Sequence, residues 1–386
     1  MTTAPSLRID FPGRLVFGNG CLVQMADEII RLAPARVLVI TIEPLLSSLI
    51  GLFARLEDNG IGVCVYTHIV QEPSFEDFYI VMKHAGPFDP DVVLGIGGGS
   101  VLDIAKLVAA QLGSDQLLAD YVGNGLLNGR RRRLVCMPAT SGTGSEVSPN
   151  AILVDDADGQ KKGIISPFLV PDVVYVDPLL TRSVPPAVTA ATGLDALTHC
   201  LEAYTNKFAQ PFIDMYACEG MRLIAGHLVR AVQNGADEEA RSQVAMGSLL
   251  GGFCLGPVNT AAVHALSYPL GSLFHLPHGL SNALLLPYVM EFNLPAAPRR
   301  YADVGRALGC AAGKDDPFTA REGVEKIRSL IRECGLPSTL KEVGVPFDAI
   351  QAMAAGAMKI ARLLVNNARP VTLEDAVNIY TSAYEQ

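Results

Sequence analysis

The chain has 386 residues, of which 49% are hydrophobic and 18% are charged, and its formal net charge is −9 at pH 7. This length predicts about two domains, because a single hydrophobic core seldom extends through so many residues. The negative charge argues against nucleic acids and anionic membrane surfaces as partners, since both would repel the chain. Apolar runs stay shorter than the roughly 18 residues of a transmembrane helix, so none is predicted.

The cysteines and the N-terminal segment both indicate the compartment. Eight cysteines are scattered without a CxxC pair, a pattern typical neither of a disulfide framework nor of a zinc ribbon. Residues 1–15 lack the charged start and apolar run of a signal peptide. The expected compartment is therefore the reducing cytoplasm.

The first half of the chain alternates short β-branched runs with amphipathic segments. Helices are predicted over residues 48–60 and 74–86, each ending at a glycine typical of a C-cap. Such alternation predicts a parallel sheet covered by helices on both faces. A β-hairpin around Asp158-Gly159 is predicted over residues 150–166. Strands are predicted over residues 36–41, 62–69, 91–97, 134–139 and 173–178.

From about Pro186 onward, long amphipathic segments with glycine or proline stops replace the strands. The sequence therefore predicts an α/β domain over residues 1–185 and an all-helical domain over residues 186–386. Helices are predicted over residues 187–206, 212–235, 238–255, 280–293, 301–309, 321–335 and 373–386.

Two segments of small residues in the first domain are candidates for a nucleotide site. Residues 97–100, Gly-Gly-Gly-Ser, follow an apolar strand and open a helix, so backbone N–H groups and the helix dipole could hold a diphosphate. The spacing is not GxGxxG, and a plain tight turn is the alternative. Residues 138–146 are rich in hydroxyls and glycine, which suits either a nucleotide lining or a capping loop.

Three basic features of this domain have simpler interpretations. The run of arginines at 130–133 is interpreted as a solvated loop. Lys106 is interpreted as a surface lysine, and Lys162 either as an exposed edge lysine or as a cofactor contact.

Asp195 and His199 form the strongest candidate for a metal site. They are four residues apart in a predicted helix, so both side chains project from one face and can reach one ion. His264 and a second downstream histidine would complete a mixed nitrogen and oxygen site for a borderline divalent metal. The alternative is an Asp–His pair hydrogen-bonded in a core.

Spacing does not decide which histidine completes this set. His275 lies three residues before His278 and competes with it. Pro277 and Gly279 suggest a shaped turn at His278, which favours that residue.

Four segments in fixed order resemble the motifs of the iron-containing (group III) alcohol dehydrogenases. The resemblance extends over nearly the whole chain and implies an N-terminal Rossmann-like dinucleotide-binding domain followed by a helical domain for metal and substrate. The segments are GGGSVLDIAK, PATSGTGSEV, ATGLDALTHCLEAY and HALSYPLGSLFHLPHG.

The resemblance also assigns residues. Carried over position by position, it implies cofactor contacts to the diphosphate, nicotinamide and ribose, together with a divalent metal, Fe²⁺ first and Zn²⁺ as the alternative. The implied metal ligands are Asp195, His199, His264 and His278. The implied cofactor residues are Gly98, Gly99, Ser100, Asp103, Thr140, Ser141, Thr143 and Lys162.

The activity implied is that of an NAD(P)-linked alcohol dehydrogenase or aldehyde reductase. Hydride would pass between the nicotinamide C4 and a small alcohol or carbonyl substrate held by the metal. The resemblance also implies a homodimer or higher homo-oligomer. The alternatives are a reductase of an activated oxo acid, similar to maleylacetate reductase, and a metal-dependent lyase of the dehydroquinate synthase type.

The sequence departs from the family pattern at two places. Tyr268 stands where many members carry a histidine implicated in proton transfer, so Tyr268 and His275 are the candidate catalytic residues here. Ile42, followed by Glu43, stands where many members carry an aspartate that disfavours NADP. Without that acid the discrimination against NADP is weaker, so NAD is favoured only slightly and NADP is left open.

Overall fold

The computed structural model describes residues 7–69, 72–157, 159–311, 313 and 315–385. These residues form two compact units. The α/β unit comprises residues 10–140 and 144–183, and the helical unit comprises residues 7–9, 141–143 and 184–385, both within the described ranges. Residues 1–6 of the N-terminal segment discussed above lie outside those ranges, as do Asp158 of the predicted hairpin turn and Gln386 of the predicted last helix.

The α/β unit is built on two sheets of short strands. Within the described residues, six strands form a parallel sheet in the order β1-β9-β6-β4-β2-β3, and three form a smaller sheet in the order β5-β8-β7, in which β7 and β8 are the antiparallel hairpin. The predicted parallel sheet is thus confirmed. The strands are β1 (Arg14–Phe17), β2 (Arg36–Ile40), β3 (Gly62–Tyr66), β4 (Val92–Gly97), β5 (Gly123–Asn124), β6 (Arg133–Pro138), β7 (Asn150–Asp155), β8 (Gln160–Ile165) and β9 (Val173–Val176).

Both faces of the large sheet are buried, which explains why its strands carry uninterrupted apolar runs. In β2, Val37 and Val39 join one hydrophobic cluster, while Leu38 and Ile40 join the other. The first cluster includes residues of the first two helices, and the second includes residues of the next two. These helices are α1 (Cys21–Leu32), α2 (Leu46–Asp58), α3 (Phe75–Phe88) and α4 (Gly99–Gln111).

The predicted end of α3 at Gly86 is wrong. The helix begins after a capping box between Ser74 and Asp77, continues past Gly86 and ends at Asp89. Asp89 adopts a left-handed conformation, with φ 48°, and its backbone N–H donates to the carbonyls of Ala85 and Gly86. An aspartate therefore performs the C-cap role that the sequence suggested for a glycine.

The arginine run also differs from its interpretation as a solvated loop. Arg130 donates to the Asp172 carboxylate at 2.5 Å, and only 11% of its side chain is exposed. Arg132 pairs with Asp89 at 2.5 Å, and Arg133 begins β6. Arg130 is held because the chain returns past Asp172 after β8, whereas Arg131 is exposed and the pair of Arg132 with Asp89 lies at the surface.

The helical unit is organised around α5, which is buried on nearly all sides. Small residues permit close packing there, since a Cβ on Gly193 would lie 2.3 Å from a methyl carbon of Leu228 on α6. Of the helices below, α8, α12 and α13 were not predicted, because Pro269 interrupts the helical pattern of α8 and the other two are short. The helices are α5 (Pro186–Thr205), α6 (Pro211–Gln233), α7 (Glu238–Leu255), α8 (Ala262–Phe274), α9 (His278–Asn293), α10 (Pro298–Ala307), α11 (Asp316–Glu333), α12 (Ile350–Ala357), α13 (Ala361–Leu364) and α14 (Leu373–Glu385).

Short 3₁₀ helices complete the secondary structure, and none of the described helices is both long and apolar enough to cross a bilayer. The 3₁₀ segments are Glu43–Leu45, Leu118–Tyr121, Pro167–Leu169, Pro178–Thr181 and Phe347–Ala349.

Candidate metal centre and cofactor loops

The helix α5 presents the first two predicted ligands from its buried middle. Asp195 Oδ1 and His199 Nε2 lie 3.8 Å apart, and their side chains are 4% and 7% exposed. The spacing of four residues places them one above the other on the same helix face, as the sequence predicted.

Helices α8 and α9 bring the two downstream histidines to the same carboxylate. His264 Nε2 and His278 Nε2 each lie 3.7 Å from Asp195 Oδ1. His278 is the first residue of α9 rather than part of a separate turn. A Cβ on Gly279 would lie 2.2 Å from the carbonyl oxygen of Ala191, so only glycine lets this helix start so close to α5.

The electrostatics of this quartet are those of a buried cluster of interacting charges. Burial would raise the pKa of Asp195, but the imidazoles of His199, His278 and His264 lower it well below its usual range. Burial lowers the pKa of His199. Burial would also lower the pKa of His264, but Glu202 and Asp195 outweigh burial and raise it to about 10.

Glu202 is a residue of this centre that the sequence reasoning missed. Its carboxylate, 3% exposed, accepts hydrogen bonds from His264 Nδ1 at 2.6 Å, Val263 N at 2.6 Å and Ala261 N at 3.0 Å. The bond to Nδ1 fixes the imidazole so that its Nε2 faces Asp195, as carboxylates behind metal-binding histidines do. The available signal was position, because Glu202 lies two turns after Asp195 on the same helix face.

Asn282, one turn after His278 on α9, was also missed. Its Nδ2 lies 2.7 Å from Asp195 Oδ1, 3.2 Å from His264 Nε2 and 3.3 Å from His278 Nε2. Within the described residues, its Oδ1 and the Nδ1 of His199 are buried without a hydrogen-bond partner. The fully buried amide of Asn282 therefore contacts the ligand atoms of three quartet residues.

This donor set fits a divalent metal ion. One buried carboxylate and three imidazoles converge, and the ligand atoms of Asp195, His199 and His264 lie within 4.8 Å of one another. Such a mixture of oxygen and nitrogen donors suits Fe²⁺, Zn²⁺ or similar ions. The alternative of a simple Asp–His core pair explains neither the second and third histidines, His264 and His278, nor the buried Oδ1 of Asn282 without a partner.

The two candidate catalytic residues lie in different surroundings. The ring of Tyr268, on α8, has its centroid 6.0 Å from that of His278, and its hydroxyl accepts a hydrogen bond from Arg362. His275 is exposed and ends α8 in a left-handed conformation, with φ 53°. Tyr268 therefore lies beside the quartet, whereas His275 lies at the exposed end of α8.

The glycine loop of the α/β unit has the geometry of an anion-binding helix start. Gly98 precedes α4, and no side chain caps the helix. A Cβ on Gly98 would lie 3.4 Å from Thr140 Oγ1, so the two small-residue segments are neighbours in space. The first N–H groups of α4 at Gly99 and Ser100 are thus open to an anionic ligand.

Lys106 is not a surface residue, because its side chain is fully buried. Its ammonium donates to Ser145 Oγ at 2.7 Å and to the carbonyls of Ser148 and Asn150 at 3.0 and 2.8 Å. Burial lowers the pKa of Lys106 and outweighs the opposing effect of Asp103. The lysine therefore ties α4 to the loop that follows residues 138–144.

Asp103 belongs to the same buried network. One carboxylate oxygen accepts from Ser145 Oγ at 2.5 Å, and the other accepts from the backbone N–H of Ile152 at 3.0 Å. Burial raises its pKa, against the opposing charge of Lys106. The carboxylate, predicted as a cofactor contact, is thus engaged with the protein's own donors.

The remaining predicted cofactor residues lie in separate places. Ser141 and Thr143 belong with the helical unit, where a Cβ on Gly142 would lie 2.8 Å from Thr192 Cβ. Lys162 pairs with Asp155 at 3.7 Å.

Lys162 lies opposite Leu153 of β7 and shares a strand face with Ile164, and both of these residues belong to the hydrophobic cluster that includes α4. Successive residues of a strand point to opposite faces, so Lys161 lies on the other face of the hairpin. Its Nζ lies 2.6 Å from Glu72 Oε1.

Comparisons with known proteins agree with this geometry over both units. The model for "Iron-containing alcohol dehydrogenase" matches residues 12–178, and the model for "Fe-containing alcohol dehydrogenase family, C-terminal" matches residues 189–384. Long-chain-alcohol dehydrogenase 1 of Geobacillus thermodenitrificans is 40% identical, with 98% of this chain and 96% of the relative covered.

Solved structures are similar over almost the entire chain. A crystal structure of 1,3-propanediol oxidoreductase superposes with a TM-score of 0.94 at 30% identity, covering 98% of this chain and 100% of the other. Sulfoacetaldehyde reductase from Bifidobacterium kashiwanohense in complex with NAD+ gives a TM-score of 0.88 at 27% identity, covering 99% and 100%.

Proposed function

Because the chain belongs to the iron-containing alcohol dehydrogenase family, we propose that it is a metal-dependent, NAD-linked alcohol dehydrogenase or aldehyde reductase. It is an oxidoreductase that acts on alcohols. The observation that carries the proposal is the convergence of three imidazoles on the buried carboxylate of Asp195.

Asp195, His199, His264 and His278 are the residues proposed to hold the metal. When bound, a divalent ion supplies the Lewis acidity that lowers the pKa of an alcohol or polarises a carbonyl. Glu202 orients the imidazole of His264 through its 2.6 Å hydrogen bond and balances the positive charge of the site. Fe²⁺ is the ion proposed, with Zn²⁺ as the alternative, since this donor set accepts both.

The cofactor is proposed to lie against the glycine loop. Gly98 allows its backbone to approach a diphosphate, while Gly99 and Ser100 offer N–H groups at the start of α4. Thr140 lies beside Gly98, and the hydrogen bond from Lys106 to Ser145 fixes the loop that follows Thr140. Ser141, Thr143 and Lys162 stay proposed as the remaining cofactor residues.

Tyr268 is the proposed proton-handling residue of the substrate pocket. Its hydroxyl can donate and accept a hydrogen bond, and its ring lies beside His278. Its role as a proton carrier differs from that of an imidazole, because an ordinary phenol titrates near pH 10. His275 is exposed at the end of α8, so we favour Tyr268 over His275 for this role.

The function is tested with a panel of small aldehydes and NADH or NADPH, with metal analysis of the same sample. We expect oxidation of NADH that requires bound metal. His264→Ala should abolish both metal content and turnover, whereas His227→Ala, on α6, should retain both.

Retention of metal and turnover by His264→Ala would remove the ligand assignment. Substrate consumption without net change in NADH absorbance would favour the lyase alternative. The homo-oligomer implied by the family resemblance is tested separately by size-exclusion chromatography with light scattering.

A further inference from the structure

We propose that Arg362 binds an anionic group of the substrate, so that the preferred substrates are short alcohols or aldehydes carrying a carboxylate at the far end. This inference deepens the proposed function and rests on it. It names a specificity-determining residue in α13, a short helix of the helical unit that the sequence did not predict.

Arg362 is fixed beside the quartet by its contact with Tyr268. Its Nη2 donates to the Tyr268 hydroxyl at 3.1 Å, and its Cζ lies 5.9 Å from the centroid of the tyrosine ring. The same ring lies 6.0 Å from the imidazole of His278. One aromatic ring therefore separates a guanidinium from a proposed metal ligand.

The guanidinium differs from those of two other arginines that lie over tyrosines among the described residues. Arg300, over Tyr204, also binds Asp214 at 2.7 Å, and Arg328, over Tyr288, binds Glu291 at 3.0 Å. In the described part of the chain, no carboxylate lies within 4.0 Å of the guanidinium of Arg362. The acidic partner that completes the other two stacks is missing here.

The chemistry of the side chain indicates what would take that place. A guanidinium has five N–H donors in a planar fork that matches a carboxylate, and the hydrogen bond to Tyr268 uses one of them. Arg362 is exposed, so a solute can reach it. A substrate whose reacting carbon lies at the quartet would form an ion pair between its carboxylate and the guanidinium of Arg362.

The competing interpretation is that Arg362 only holds Tyr268 in position. In that case, its loss would impair neutral and anionic substrates equally, because the hydroxyl of Tyr268 would lose its donor for both. The ratio of the two activities therefore separates substrate recognition from positioning.

The experiment compares kcat/KM for 4-oxobutanoate with that for its neutral methyl ester, using the metal-loaded enzyme. We expect the wild type to prefer the anion by at least about tenfold, since a charged donor without its acceptor discriminates strongly. Arg362→Gln should remove this preference, chiefly through a raised KM for the acid, while any effect through Tyr268 lowers both activities equally and leaves their ratio as the readout. Arg362→Lys should keep part of the preference, because it retains charge without the fork.

A matched control is Arg369→Gln. Arg369 also lies over an aromatic ring, with its Cζ 4.1 Å from the centroid of Phe292. The Arg369→Gln substitution should leave the ratio of the two activities unchanged. A binding readout independent of turnover is the stabilisation of the protein by butanoate, expected for the wild type and lost in Arg362→Gln.

Two outcomes would overturn the inference: no preference for the acid in the wild type, or an equal loss for the acid and its ester in Arg362→Gln. In both cases, continued reduction of the neutral ester would leave the proposed function standing. Failure of the wild type to reduce any aldehyde would instead refute the proposed function itself.

Discussion

Replacement of Glu202 by glutamine tests whether the carboxylate behind His264 supports the metal centre. Glu202 Oε2 accepts from Ala261 N and His264 Nδ1, and Oε1 accepts from Val263 N at 2.6 Å. A glutamine that keeps its oxygen toward His264 turns its NH₂ group toward the N–H of Val263. Glu202→Gln therefore leaves one buried donor unsatisfied and removes the negative charge beside the imidazole.

The size of the effect follows from these contacts. The unsatisfied donor costs about 1–3 kcal/mol of folding free energy. Loss of a carboxylate behind a metal-binding histidine weakens metal binding by about 10- to 100-fold, which corresponds to about 1.4–2.8 kcal/mol of binding free energy. We expect both losses, because the same oxygen atoms cap the start of α8 and orient His264.

The assay titrates metal-free protein with Zn²⁺ or Co²⁺ in competition with a chromophoric chelator, and urea unfolding measures stability. Glu219→Gln is the matched control, since that carboxylate lies on the surface of α6 in an ion pair with Arg222. An unchanged metal Kd in Glu202→Gln, with or without a loss of stability, would refute the role assigned to Glu202.

Three further predictions use other buried groups. Lys106→Met should destabilise the protein by about 3–5 kcal/mol in urea unfolding, because it leaves Asp103 without the ammonium 3.8 Å away and the carbonyls of Ser148 and Asn150 without their donor; an effect as small as that of the surface variant Lys341→Met would contradict its buried role. Metal binding at pH 8 should release about one proton. Neighbouring carboxylates overcome burial and hold the pKa of His264 at about 10, whereas a metal-bound nitrogen must be deprotonated. The apparent affinity should then rise as the pH approaches 10, and calorimetry in buffers of different ionisation enthalpy that finds no release would count against this charge state. Tyr268→Phe should lower kcat for a neutral aldehyde by about a hundredfold and alter the pH–rate profile; an unchanged profile would exclude Tyr268 from the proton route.

The sequence predicted the elements whose pattern is local. Five of the six described strands of the large sheet were predicted, because burial on both faces requires continuous apolar runs such as that of β4. The exception is β1, none of whose residues is fully buried. Asp195 and His199 were paired because a helix places residues four apart on one face. The end of α3 was misplaced because Asp89 can adopt the left-handed conformation usually given by glycine.

Only the tertiary structure decided which distant groups meet. Lys106 looks like any helix lysine in sequence, yet it is buried because its carbonyl partners come from a segment some forty residues later. Spacing left His275 and His278 as rivals, and the close approach of α9 to α5 at Gly279 brings His278 to Asp195.

What the sequence by itself determined is the fold class, the family and one face of a helix with two candidate ligands, because these depend on periodicity and on motifs within single segments. The tertiary structure alone decided the partners of that face. Glu202 stands behind His264, Asn282 lies against the ligand atoms, and Arg362 reaches Tyr268 from nearly a hundred residues away. Such contacts depend on how helices pack, and the local sequence of each helix does not encode the position of its neighbours.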